Sequence, residues 1–169
     1  RAQTMAGMEV LIVGSGGREH AIAIGLSESA SVSGLHCTPG NAGTSIVSIN
    51  HDVLVSDIEG IVELAKELSV SLVVVGPEAP LVSGLADRLR EEEIPCFGPN
   101  SEGAMLEGSK LHAKKIMDLL NVPTGKFSVA RDLQSIERSL ELFEPPWVIK
   151  RNILAGGKGV IVTSSRDEA

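Results

Sequence analysis

At 169 residues, with 43% hydrophobic and 2% aromatic content, the chain can hold one full domain and part of a second. Its core must be built from Val, Ile, Leu and Ala, which suits helices packed on a parallel sheet and not a base-stacking aromatic surface. Fifteen Lys plus Arg against twenty-two Asp plus Glu give a net charge of -7. That balance excludes a general affinity for nucleic acid or anionic membrane and leaves anionic small molecules open.

Residues 1–7 (RAQTMAG) do not begin with methionine and read as a non-native remnant or a disordered leader, with Met5 or Met8 as the natural start. No apolar run reaches membrane length and no charged-then-apolar leader occurs, so a soluble, cytoplasmic protein is expected. Cys37 and Cys96 stand apart, without a CxxC pair or a histidine cluster, and read as structural thiols.

Residues 10–13 (VLIV) have the pattern of a central strand buried on both faces of a parallel sheet. Gly14, Gly16 and Gly17 allow a sharp turn, and residues 18–26 place Ile22 and Leu26 on the inner face of a helix. Strand, glycine turn and helix N-terminus form a natural phosphate site, unless the glycines serve the turn alone. The dinucleotide fingerprint G-x-G-x-x-G would require glycine where this chain has Glu19, which argues against NAD.

A second strand is expected over 33–37, a polar loop over 39–44 (PGNAGT) and a shorter strand over 52–55. Ser56 and Glu59 suggest a capping box for a helix ending near Leu68, followed by an apolar strand over 72–75. The segment 76–81 (GPEAPL) stops that strand, Leu81, Leu85 and Leu89 stripe one helix, and 94–97 forms another strand. Residues 91–93, three glutamates, read as a solvated face. The loops at 14–20, 39–44 and 76–81 all leave the carboxyl ends of strands, where ligands bind in open α/β sheets.

The pattern changes near residue 100. A short helix to Glu107 precedes a second capped by Ser109, ended by Asn121 and Pro123. A strand over 127–130, a helix from Asp132, a strand over 147–150 and a strand over 160–163 follow. Between the last two lies AGGKG at 155–159, a glycine-rich turn carrying Lys158 and fit to fold over phosphates, without Walker A spacing. Lys150, expected to be buried beside Val148 and Ile149, needs either a structural carboxylate or a ligand phosphate.

These residues resemble a known family. GSGGREH at 14–20, PGNAGT at 39–44, GPEAPL at 76–81, LEGSK at 106–110 and LAGGKGVIV at 154–162 are similar, in order and spacing, to phosphoribosylamine-glycine ligases (glycinamide ribonucleotide synthetases) of the ATP-grasp superfamily. The similarity runs from about Met8 to the end, less than half of the family's usual length.

The resemblance implies an α/β fold: a Rossmann-like open parallel sheet as N-terminal substrate domain over 8–100, a helical linker over 101–125, and an incomplete ATP-grasp lid over 126–169. It further implies that ATP phosphorylates glycine and that phosphoribosylamine attacks the glycyl phosphate, giving glycinamide ribonucleotide for purine biosynthesis. Carried over by motif, Lys110, Lys150, Gly156, Gly157, Lys158 and Gly159 fall on the ATP side. Gly16, Gly17, Arg18, Glu19, Asn41, Gly43, Thr44 and Glu78 fall on the amine-substrate side, with Glu78 either a ribose acceptor or a loop brace. The family's K-A-D-G-L-A-A-G-K-G reads here Lys150 to Gly159 as KRNILAGGKG, with Arg151 and Ile153 as departures.

Ligands for Mg2+ or Mn2+ and the glycine site are expected beyond residue 169. The fragment alone is then expected to be inactive, with an exposed lid edge open to self-association. The competing readings are a stand-alone sugar-phosphate or nucleotide-binding module and an NAD-dependent oxidoreductase domain.

Overall fold

In the computed structural model, residues 7–154 and 158–169 are described. Residues 1–6 of the expected leader, and Gly156 and Gly157 of the flap, lie outside them. The chain divides into two units, one through Ala104 and one from Met105.

The first unit begins β1 (Met8–Gly14), α1 (Gly17–Ser27), β2 (Val32–Pro39), α2 (Thr44–Val47), β3 (Ile49–Asn50) and α3 (Ile58–Glu67). It continues β4 (Leu72–Val75), α4 (Glu78–Val82), α5 (Leu85–Glu91) and β5 (Cys96–Phe97). The five strands form one parallel sheet in the order β3-β2-β1-β4-β5. β1 is central because both of its faces are apolar. Leu11 and Val13 join Ile61, Leu85 and Leu89 on one side, while Val10 and Ile12 join Ala23 and Cys37 on the other. Helices α3 to α5 thus cover one face and α1 and α2 the opposite one.

Three sequence expectations are corrected here. Residues 52–55 are no strand. The Thr38 hydroxyl donates to Val53 O at 2.8 Å and accepts from Val53 N at 3.2 Å, so a side chain replaces the ladder while Val53 and Val55 pack on the core. Asp57, not Ser56, caps α3 by accepting from Gly60 N at 3.0 Å. Glu59 instead reaches Arg88, which donates through Nε at 2.8 Å and Nη2 at 2.9 Å. The leucine stripe at 81, 85 and 89 is buried but belongs to two helices, because Gly84 breaks the run at φ +92°. Arg88 also pairs with Glu91 and Glu92, and Lys66 with Glu92, so two of the three glutamates at 91–93 tie α5 to itself and to α3.

α6 (Ser101–Gly108) leads into the second unit, which holds α7 (Lys110–Leu119), α8 (Leu133–Glu141), β6 (Trp147–Lys150) and β7 (Val160–Thr163). Ser109 caps α7 and Asp132 caps α8, each accepting a backbone N–H of the first turn. β6 and β7 pair antiparallel with Lys150 opposite Val160. The strand expected over 127–130 does not form. Lys114 holds the preceding segment by donating to Thr124 Oγ1 at 2.6 Å and Gly125 O at 2.8 Å, and its ammonium lies 5.5 Å from the Phe127 ring centre. No helix among the described residues is long and apolar enough to cross a membrane.

At the β2–β3 edge, His36 Nδ1 lies 3.0 Å from His51 Nε2, while His36 Nε2 lies 3.3 Å from Glu9 Oε2. Burial, then the His36 charge, hold the His51 imidazole below its usual value of 6.5. Below that value the unfolded chain binds the proton more readily, so this contribution to stability is complete above it and is lost as pH falls through the folded pKa. Urea denaturation should show stability declining as pH drops below 6.5, and His51→Gln should flatten that segment; identical pH profiles would contradict the assignment. Ile61, fully buried between α3 and the sheet, anchors the larger core. Ile61→Ala should lower the unfolding free energy by about 2–5 kcal/mol in the same assay.

Candidate functional site

Three turns leave the carboxyl ends of β1, β2 and β4; the first and third close around Glu19, and the second is tied to the first through Asn41. Gly16 stands before α1 with extended backbone, and the first intrahelical bond runs from His20 N to Gly16 O at 3.1 Å. The N–H groups of Gly17, Arg18 and Glu19 therefore lie in the first turn without acceptors four residues back, where a helix carries partial positive charge. Gly16 has no side chain with which to cap that turn. Glu19 folds back to do so: its Oε2 accepts from Gly16 N at 2.6 Å and its Oε1 from Arg18 Nε at 3.1 Å.

Glu19 is only 4% exposed, and its carboxyl group lies against the glycines of the turns. A Cβ on Gly14 would come within 2.6 Å of Glu19 Cγ, and one on Gly16 within 2.9 Å of Oε2. A Cβ on Gly76 would collide with the same carboxylate. Gly14 in addition has φ +134°, a conformation open to glycine. Thus glycines from two separate turns leave the space that one acid fills, and Gly76 N donates to Val13 O at 2.9 Å to hold the two strand ends together.

The second turn is fixed by its own side chains. Asn41 Nδ2 donates to Ser15 O at 2.9 Å and to Gly16 O at 3.2 Å, which joins it to the first turn. Asn41 Oδ1 accepts from Gly43 N at 2.7 Å and Thr44 N at 3.0 Å. The fully buried Thr44 hydroxyl accepts from Asn41 N at 2.8 Å and donates to Asn50 Oδ1 at 2.9 Å. Asn41 and Thr44 therefore brace the loop, and Gly43 leaves room for the His20 ring. Asn50, which the sequence reading passed over, completes the brace with Nδ2 donating to Asn41 O at 2.9 Å. Burial pushes the nearby Cys37 thiol up, despite bonds from Ser48 and Thr44.

Glu78 opens α4 at the third turn and is half-buried. Arg18, by contrast, keeps 63% of its side chain exposed beside the first turn of α1. The first unit therefore brings Gly16, Gly17, Arg18, Asn41, Gly43 and Glu78 to one rim of its sheet, with Glu19 and Thr44 beneath it.

In the second unit Lys110 is the first residue of α7, and its Nζ donates to Ile153 O at 3.0 Å. Asn152 Oδ1 accepts from Ser109 Oγ at 3.1 Å and from Leu111 N at 2.8 Å, so the residues flanking Lys110 are held to the exit of β6. Asn152 was missed by the sequence reading because its partners lie more than forty residues away. Lys150 is exposed, contrary to the expectation of burial. β6 has a single partner strand, so Val148 and Lys150 face solvent together and no internal acid is needed. Lys158 is exposed too, and Arg151 N donates to Gly159 O at 2.9 Å. Among the described residues no group of three or more His, Cys, Asp or Glu is placed to hold a metal ion.

Comparison with known proteins agrees with this division. Residues 8–107 match the family described as phosphoribosylglycinamide synthetase, N domain, and residues 108–169 match its ATP-grasp (A) domain. The phosphoribosylamine–glycine ligase of Mycobacterium tuberculosis is 44% identical over 167 residues, covering 96% of this chain and 40% of that protein. That of Streptomyces coelicolor is 47% identical over 162 residues, covering 96% and 39%. Among solved structures, the phosphoribosylamine–glycine ligase of Thermotoga maritima superposes with a TM-score of 0.74 at 34% identity, covering 95% of this chain and 37% of that one. The N5-carboxyaminoimidazole ribonucleotide synthetase of Thermus thermophilus shares the fold, with a TM-score of 0.69 at 21% identity. The chain thus spans about 40% of the length of the curated relatives it matches, and it belongs to the phosphoribosylglycinamide synthetase family.

Proposed function

We propose that this chain supplies the phosphoribosylamine side and part of the ATP side of a phosphoribosylamine–glycine ligase. The observation that carries this reading is the meeting of three turns at one end of the sheet, two of them packed around Glu19 and the third tied to the first through Asn41, which leaves the first-turn N–H groups and the Arg18 side chain at one rim. That rim suits a monophosphate: backbone donors and an arginine fork match its oxygens, and Glu78 stands one turn away for ribose hydroxyls. Residues 8–100 are read as the substrate domain, 101–125 as a linker and 126–169 as part of the lid.

Lys110, Lys150, Lys158 and Gly159, with Gly156 and Gly157 of the same motif, form the polyphosphate side. Lysines at a helix start and at a strand end fit the charge of ATP, and Mg2+ or Mn2+ carried with the nucleotide would supply further charge neutralisation. In the reaction the γ-phosphoryl group moves to a carboxylate oxygen of glycine and ADP leaves. The amine of phosphoribosylamine then attacks the acyl carbon, the C–N bond forms, inorganic phosphate departs, and the amine proton passes to solvent.

This role is that of a cytoplasmic enzyme of purine biosynthesis acting on small molecules and needing neither nucleic acid nor membrane. The exposed Val148, Ile161 and Val162 favour self-association at the β6–β7 pair as a further part of the reading.

Calorimetric titration with two ligands tests the division of labour. Arg18→Ala should weaken ribose 5-phosphate binding by about tenfold, the loss of charge-assisted bonds, and leave MgADP binding unchanged. Lys150→Ala should do the reverse. If either substitution weakens both ligands equally, or neither, the assignment fails.

A further inference from the structure

Glu19 is a buried acid that the proposed chemistry does not use. An acid facing a bound phosphate would repel it, yet this one lies at the base of the turn. Its two bonds both go to groups of the phosphate-facing turn: the Gly16 N–H at 2.6 Å and the Arg18 Nε–H at 3.1 Å. An arginine presents five N–H donors in a planar fork. Glu19 engages Arg18 through Nε, so the N–H groups of the two terminal nitrogens are not taken up by the acid. With 63% of the Arg18 side chain exposed, those donors stand in solvent beside the first turn of α1.

We infer that Glu19 is a positioning residue, which holds the Arg18 fork and the Gly16 peptide in the geometry that receives a phosphate monoester. The inference rests on the reading of this rim as the sugar-phosphate site. A guanidinium held through Nε has fewer conformations to give up when the ligand arrives, so less is lost on binding. The packing of the carboxylate against Gly14, Gly16 and Gly76 prevents it from rotating upward to meet the ligand itself.

The test uses Glu19→Gln, which keeps an oxygen for the Gly16 N–H and removes the charge that holds Arg18. Two readouts are taken: ribose 5-phosphate affinity by calorimetry, and exchange of the Arg18 Nε–H by 15N NMR without ligand. Glu19→Gln should raise the dissociation constant about fivefold in the wild-type background, the cost of immobilising one long side chain. In an Arg18→Ala background it should change the constant by less than about twofold, since coupled residues are not additive. Exchange of the Arg18 Nε–H should be slow in the wild type and fast in Glu19→Gln.

Equal losses of affinity in both backgrounds would overturn the inference, because a merely structural acid would act without Arg18. Unchanged Nε–H exchange would also overturn it, whatever the affinity. If the wild type fails to bind ribose 5-phosphate while its Nε–H is protected, the contact stands but the sugar-phosphate reading falls, and the role given to Glu19 falls with it.

Discussion

The Glu19 carboxylate lies where the ends of β1 and β4 come together, and its bond from the Gly16 N–H holds the start of α1 in place. A charge removed from water is costly unless it is paired, and here the pairing comes from the turn it supports. The space for it exists because Gly14, Gly16 and Gly76 carry no side chains. Those three glycines and one acid therefore depend on one another. Asn41 fastens the β2 loop to the same place by donating to Ser15 O and Gly16 O. A rim with free helix N–H groups is the outcome, and it is the feature on which a phosphate would rest.

The second unit relies on a comparable long-range tie. Asn152 accepts from Ser109 and Leu111 on either side of Lys110, and Lys110 in turn donates to Ile153 O. The start of α7 and the exit of β6 are thereby fixed relative to each other. Two lysines that the family resemblance assigns to ATP are carried by these two segments, Lys110 by the helix and Lys150 by the strand. In both units, then, side chains bonded within the protein set the places of residues proposed to bind a ligand.

Much of this was legible in the residues. Residues 10–13 of β1 and all of β4 are apolar without interruption because helices cover both faces of the sheet, so their sequences announce central strands. The edges were not legible. β3 and β5 are two residues each, with Thr38 replacing the ladder beyond one and Pro95 standing before the other. Glu19 was read as a departure from the dinucleotide fingerprint, and the space its carboxylate fills depends on Gly76, from a turn after a different strand, which no local pattern reveals. Lys150 was misjudged as buried because apolar neighbours along a strand do not show whether a second sheet or helix covers them.

The central claim is that the three turns act as one phosphate-binding rim. Titration of 15N-labelled protein with ribose 5-phosphate, followed through backbone amide shifts, tests it most directly. The account predicts changes concentrated at Gly17, Arg18, Gly43 and residues 76–78, saturating with a single dissociation constant. Changes confined to one of the turns, or centred on residues 147–163, would contradict it.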